Sequence, residues 1–180
     1  MFQCRMCSEN PFQQMFGGDG GGQAKEAKKK KKNQQPGQPR RPSSNRNEAS
    51  FNPRTDAEVR QVVQQWEQYV HPRAREFFST PEMLEEVLGQ LAKGIDRNDD
   101  PVLGADDRCV FWYGDVTAAA IRMVKPGETT ESVTYVNRVL AFIFATDESF
   151  DQLMKLPKEP FKMNCGDQLC VHLAHISLGV

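Results

Sequence analysis

The chain has 180 residues, 38% of them hydrophobic, and carries 23 Lys+Arg against 24 Asp+Glu for a net charge of -1. That length holds one domain of ordinary size with tails and excludes a large multidomain enzyme. Its longest apolar run, Val139 to Ala145, falls well short of the roughly 20 residues that cross a bilayer, so no membrane association is expected. Met1-Phe2-Gln3-Cys4-Arg5 leads into no apolar signal-peptide core, and five cysteines are an odd number. An intracellular chain whose thiols bind metal or are simply buried is therefore expected, not a disulfide framework.

The near-neutral charge is a cancellation: residues 25–54 carry +8, residues 55–180 carry -8, and residues 1–24 carry -1. Residues 1–54 are read as a basic tail. Gly-Gly-Asp-Gly-Gly-Gly at 17–22 and the Gln, Pro, Arg, Ser and Asn of 33–50 cannot bury enough apolar surface to offset ordering entropy, so disorder is predicted over roughly residues 8–53. Lys28, Lys29, Lys30, Lys31 and Lys32, followed by Arg40 and Arg41, are either a solvated linker or an arm for phosphate contacts. Their spacing also fits a bipartite nuclear-import signal, which makes a nuclear location and a nucleic-acid partner expectations. Cys4-x2-Cys7 lacks a second ligand pair, and reactive tail thiols are the simpler reading.

Order is predicted to begin at Thr55. Thr55-Asp56-Ala57-Glu58 forms a capping box, and Val59, Val62, Val63, Trp66 and Val70 recur at helical spacing until Pro72 ends the helix. A second helix opens at Ser79-Thr80-Pro81-Glu82, carries the stripe Leu84, Val87, Leu88, Leu91 and Ile95, and stops at Gly94. His71 reads as a capping or solvent-facing residue. The loop Asp96 to Asp107, rich in aspartate, lacks the Gly and terminal Glu of an EF-hand and reads as solvated. Residues 55–107 are thus a helical pair with an acidic loop, and the pair offers a surface for a protein partner.

From Cys109 the pattern turns to short strands: Cys109 to Gly114, Ala118 to Val124, a turn at Lys125-Pro126-Gly127-Glu128, and Ser132 to Val136. Asn137 to Ala145 reads as a buried helix, with strand as the alternative for so short an apolar run. Thr146 to Pro160 is expected to be a connection with a short turn of helix. The fold class expected is α+β.

The chemistry concentrates near the end of the chain. Cys165, Cys170 and His175 form C-x4-C-x4-H. Soft thiolates and an imidazole are what tetrahedral Zn²⁺ prefers, and a structural site needs a fourth ligand. Cys109 supplies it as the remaining cysteine outside the tail. The alternative is three buried thiols and an unrelated histidine. No Walker-type loop or Gly-x-Ser-x-Gly elbow occurs, so no small-molecule substrate is evident.

Cys109-x2-Trp112-x-Gly114, the β-rich stretch, Tyr135-Val136-Asn137-Arg138 opening a helix, and C-x4-C-x4-H together resemble the zinc-binding region of His-Me finger (ββα-metal, HNH-like) endonucleases. The His-Cys box homing endonucleases belong to that group. The resemblance covers about residues 108–178 and leaves residues 1–107 unaddressed. It implies a zinc-stabilised β-hairpin and helix unit over 108–180, with structural Zn²⁺ on Cys109, Cys165, Cys170 and His175. It also implies that catalysis has been lost. Active members carry a general-base histidine two residues before the first Cys of C-x4-C, where this chain has Met163, and a thioether takes no proton from water. The metal-binding helix expected after the zinc histidine is absent or barely begun, and Asn137 stands where many relatives have His. His172 is the one weak candidate for a replacement base, an exposed loop histidine being the default reading. Arg122, Lys125 and Arg138 could form a basic patch on the fold. Three functions follow: an inactive relative that binds nucleic acid through its tail, a zinc-stabilised scaffold for protein partners, or an active metal-dependent DNA endonuclease.

Overall fold

The computed structural model describes residues 46–114, 118–157 and 160–179. The tail lysines, Arg40, Arg41, Cys4 and Cys7 lie outside the described residues. Among the described residues, five α-helices and one antiparallel hairpin confirm an α+β chain. Among the described residues, no helix is long and apolar enough to cross a membrane.

Helix α1 spans Asp56–Glu67 and starts on the expected capping box. Thr55 Oγ1 accepts from the Glu58 amide at 3.3 Å, and the Glu58 carboxylate accepts from the Thr55 amide at 2.7 Å. Pro72 does more than end this helix: it opens a further short helix, α2 (Pro72–Phe77), where its missing N–H costs nothing. His71 caps α2, its Nδ1 accepting from the Arg73 amide at 3.1 Å. Helix α3 (Pro81–Lys93) runs from the Thr80 cap to Gly94, and its apolar stripe packs against α1.

Strands β1 (Ala120–Val124) and β2 (Glu131–Tyr135) pair antiparallel, with Arg122 opposite Val133. Pro126 and Gly127 turn the hairpin, Gly127 taking φ 81°, as a type II turn requires at its third position. Helix α4 (Val136–Phe144) settles the helix-or-strand alternative, and every residue from Val136 to Ile143 is buried. The segment after it is more regular than expected: Thr146 caps an eight-residue helix, α5 (Asp147–Met154).

Three expectations are corrected. First, order starts before Thr55. Arg46 donates to the Trp112 carbonyl at 2.6 Å, Phe51 stacks on Tyr113 at 4.4 Å, and Arg54 donates to the carbonyls of Ala92 and Ile95 at the end of α3. Two of the basic residues assigned to the tail thus belong to the folded body.

Second, the acidic loop is not simply solvated. Asp96 is buried and accepts from the amides of Asn52 and Asn98 at 2.7 and 2.9 Å. Burial pushes its carboxyl up, but those hydrogen bonds outweigh it and hold the pKa below the ordinary value. Asp100 accepts from Trp66 Nε1 at 3.0 Å and from the amides of Val102 and Leu103, so the core tryptophan and the loop fix one another.

Third, Cys109 to Gly114 makes no strand ladder. It forms single bridges, Trp112 with Ile95 and Phe111 with Cys170. The Trp112 ring is wedged against Gly94 and Gly114, where an added Cβ would collide with it, and this directs the backbone to a different neighbour on each side. One buried cluster runs from Val59 to Ile176, so residues 55–107 and 108–179 share a core.

Gly94→Ala should therefore destabilise the chain by about 1–3 kcal/mol through overpacking against the indole, read as a lower urea midpoint. A pH series tests the capping box. The amide of Thr55 and the side chain of Arg97 hold Glu58 down from 4.5 to about 2. The stability this gives is complete above the unfolded value and is lost as pH falls through the folded one. The stability difference between wild type and Glu58→Gln should thus be constant above about pH 5.5 and shrink between pH 4.5 and 2.

Candidate metal centre

Three separate pieces of chain meet at Cys109, Cys165, Cys170 and His175, whose ligand atoms all lie within 4.8 Å of one another. Cys109 follows the acidic loop and is brought alongside Cys170 by the Phe111–Cys170 bridge, with the Val171 amide donating to the Val110 carbonyl at 2.7 Å. Cys165 and Cys170 flank a tight loop. In it Gly166 takes φ 78°, its amide donates to the Met163 carbonyl at 2.9 Å, and Asp167 Oδ1 accepts from the Leu169 amide at 3.0 Å. His175 closes the 3-10 turn Leu173–His175.

Two of the donor–donor distances, both at His175, match those of a tetrahedral ion. His175 Nδ1 lies 3.4 Å from Cys170 Sγ and 3.8 Å from Cys109 Sγ. Bonds of ordinary Zn–S and Zn–N length at tetrahedral angles put ligand atoms about 3.5–3.8 Å apart. The tautomer fits as well. His175 Nε2 is 2.5 Å from the Asp106 carbonyl, which can only accept, so Nε2 carries the proton and the Nδ1 lone pair faces the sulfurs. A metal-bound histidine is held in this way by its outer partner.

Burial, then the adjacent thiols, pushes Cys170 up to about 12, against two backbone hydrogen bonds that lower it. Burial and the Cys165 thiol raise Cys109. Crowded thiols of this kind do not ionise together without a cation, and a divalent metal supplies the missing charge. The buried-thiol alternative fails for two of the three: Cys165 is exposed and Cys109 only half-buried.

The other sequence candidates fall elsewhere. His172 is not the exposed loop histidine expected; it is 1% exposed and lies against His175 and the acidic loop. Met163 is 5% exposed and pairs with Ile176 through a single bridge. Arg138, expected on a basic surface patch with Arg122 and Lys125, is 3% exposed. Its guanidinium donates to the Pro157 carbonyl and lies 4.4 Å from the centre of the Phe161 ring, which removes it from any phosphate-binding surface. The Asp106 carbonyl was not foreseeable, because a backbone acceptor leaves no mark on residue identity.

No family model, curated protein or solved structure matches the chain. The metal centre thus stands on its own geometry. The purified chain should hold close to one equivalent of divalent metal, and Cys170→Ser should remove it and lower the melting temperature, as should a strong chelator applied to wild type. Metal content near zero in freshly purified wild type would count against the site.

Proposed function

We propose that this chain is a zinc-stabilised, catalytically silent module related to the His-Me finger endonucleases. The observation that carries the reading is the convergence of four ligand atoms within 4.8 Å from pieces of chain as distant as Cys109 and Cys165. A Cys₃His donor set is closed, with no position left for water or substrate, and this is the arrangement of structural rather than catalytic zinc. When bound, Zn²⁺ would crosslink the acidic loop to the C-terminal loop and contribute directly to folding free energy.

Loss of catalysis is supported by the surroundings of Met163. Its Sδ lies 3.9 Å from Asn137 Nδ2, which donates to the Phe161 carbonyl at 3.1 Å. The position that the family resemblance assigns to the general base is a buried thioether packed on an amide, with neither a proton acceptor nor access for water. His172 is equally enclosed.

The reading leaves nucleic-acid contact to the tail. Residues 46–180 hold 14 basic and 21 acidic residues, while residues 1–45 hold nine and three. Some of the body's arginines are also used internally, Arg138 as above and Arg73 on α4, where its Nε donates to the Phe142 carbonyl at 2.8 Å. This internal use favours a second reading, in which the folded body is a protein-interaction scaffold and the tail alone is an address or phosphate-contacting arm.

Binding to duplex DNA separates the two. Seven tail contacts, from Lys28 to Lys32 with Arg40 and Arg41, would weaken binding by roughly 10³-fold or more between 50 and 200 mM salt. Deleting residues 1–45 should abolish binding and leave the metal content intact. Absence of binding at low salt selects the scaffold. Mg²⁺-dependent cleavage lost in His172→Ala would overturn the silent-module reading.

A further inference from the structure

His172 sits one residue before the 3-10 turn that presents His175, and it does two things there. Its Nδ1 accepts from the Ala174 amide at 3.1 Å, capping the turn. Its ring also lies nearly parallel to that of His175, with centroids 4.8 Å apart and planes at 22°. The turn is braced from the other side by the acidic loop, the Leu173 amide donating to the Pro101 carbonyl at 2.9 Å. His175 is thus fixed at Nε2 by Asp106, at its backbone by the capped turn, and on one face by a second imidazole.

The cap also fixes the tautomer of His172. Because Nδ1 accepts, Nε2 carries the hydrogen in the neutral ring, and it lies buried against the backbone of Gly104 and Ala105 in the acidic loop. A purely apolar side chain would fill the space but could not cap the turn. The atom that justifies a histidine here is Nδ1.

We infer that His172 is a positioning residue for the metal centre, holding the His175 imidazole in its ligating orientation through the turn cap and the ring stack. This rests on the metal-binding reading above and extends it to a residue that touches no metal. Loss of such an outer partner commonly weakens metal affinity by about 10–100-fold.

The test uses the full chain, Zn²⁺ affinity by competition with a chromophoric chelator, and Co²⁺ substitution to report ligand geometry. His172→Ala should weaken Zn²⁺ binding by about tenfold or more and alter the visible Co²⁺ bands. His172→Asn, whose Oδ1 can take the Ala174 amide, should recover affinity to within about threefold of wild type, as replacement of one good cap by another predicts. Val59→Ala, a core truncation on α1, serves as a stability control and should leave both readouts unchanged. The inference is overturned if His172→Ala binds as wild type does, loses no more affinity than Val59→Ala, or leaves the Co²⁺ spectrum unaltered. Failure of His172→Asn to recover would overturn the cap. Wild type that takes up no metal sinks the metal reading itself, whereas wild-type binding matched by every variant sinks only the role of His172.

Discussion

The arrangement depends on a helix with no solvent-facing side. Every residue of α4 from Val136 to Ile143 is buried, so neither of its ends can rely on water for its free backbone groups. Arg73 answers this at the C-terminal end. Its guanidinium donates to the carbonyls of Ala141, Phe142 and Ala145, lies 4.1 Å from the centre of the Phe150 ring and pairs with Asp147 at 3.4 Å. A cation at a helix C-terminus is also favoured by the helix dipole. One side chain thereby ties α2, α4 and α5 together. At the other end Asn137 and Arg138 reach out to the carbonyls of Phe161 and Pro157. The polar residues of a helix otherwise made of core thus hold the chain that leads into the metal centre.

That chain has little regular structure of its own. From Phe161 to Gly179 its backbone is joined to the rest by the Phe111–Cys170 bridge and scattered hydrogen bonds, and a second bridge, Met163–Ile176, lies within it. A segment with no ladder gains little cooperative backbone stabilisation, and a metal crosslink is an effective substitute. The residues that could hold a metal sit in the tight Cys165–Cys170 loop and the 3-10 turn at His175, with Cys109 at the end of the acidic loop. Asp106 and Pro101 in that loop offer backbone carbonyls to His175 and Leu173. The loop is therefore a wall of the metal centre as well as the cap over Trp66.

The place of Arg46 and Arg54 in the folded body moves the line between the basic and acidic parts of the chain. Arg46 and Arg54 act as braces, one on the Trp112 carbonyl and the other on the end of α3. Burial lowers the Arg54 pKa, with nearby aspartates opposing the shift. With these residues counted in the body, the tail carries +6 and the body -7. The opposition between the two parts survives the correction.

The sequence by itself determined what is local. The Thr55 capping box, the Thr80-Pro81 helix start, the Gly94 stop, the Pro126-Gly127 turn and the helical stripes were all legible, because each is enforced by residues within a few positions of one another. The cluster that could hold a metal was legible for a chemical reason: few side chains bind soft metals, and Cys165, Cys170 and His175 are compactly spaced. Tertiary structure alone decided the rest. His172 read as an exposed loop residue because burial is a property of neighbours distant in the chain. Arg138 read as surface because arginine usually is, yet it is held inside by Pro157 and Phe161. Asp96 and Asp100 read as solvated because two of their donors, the amide of Asn52 and Trp66, lie more than thirty residues away. Local sequence carries backbone preference and ligand chemistry, whereas the partner of a polar side chain is chosen only when distant segments pack.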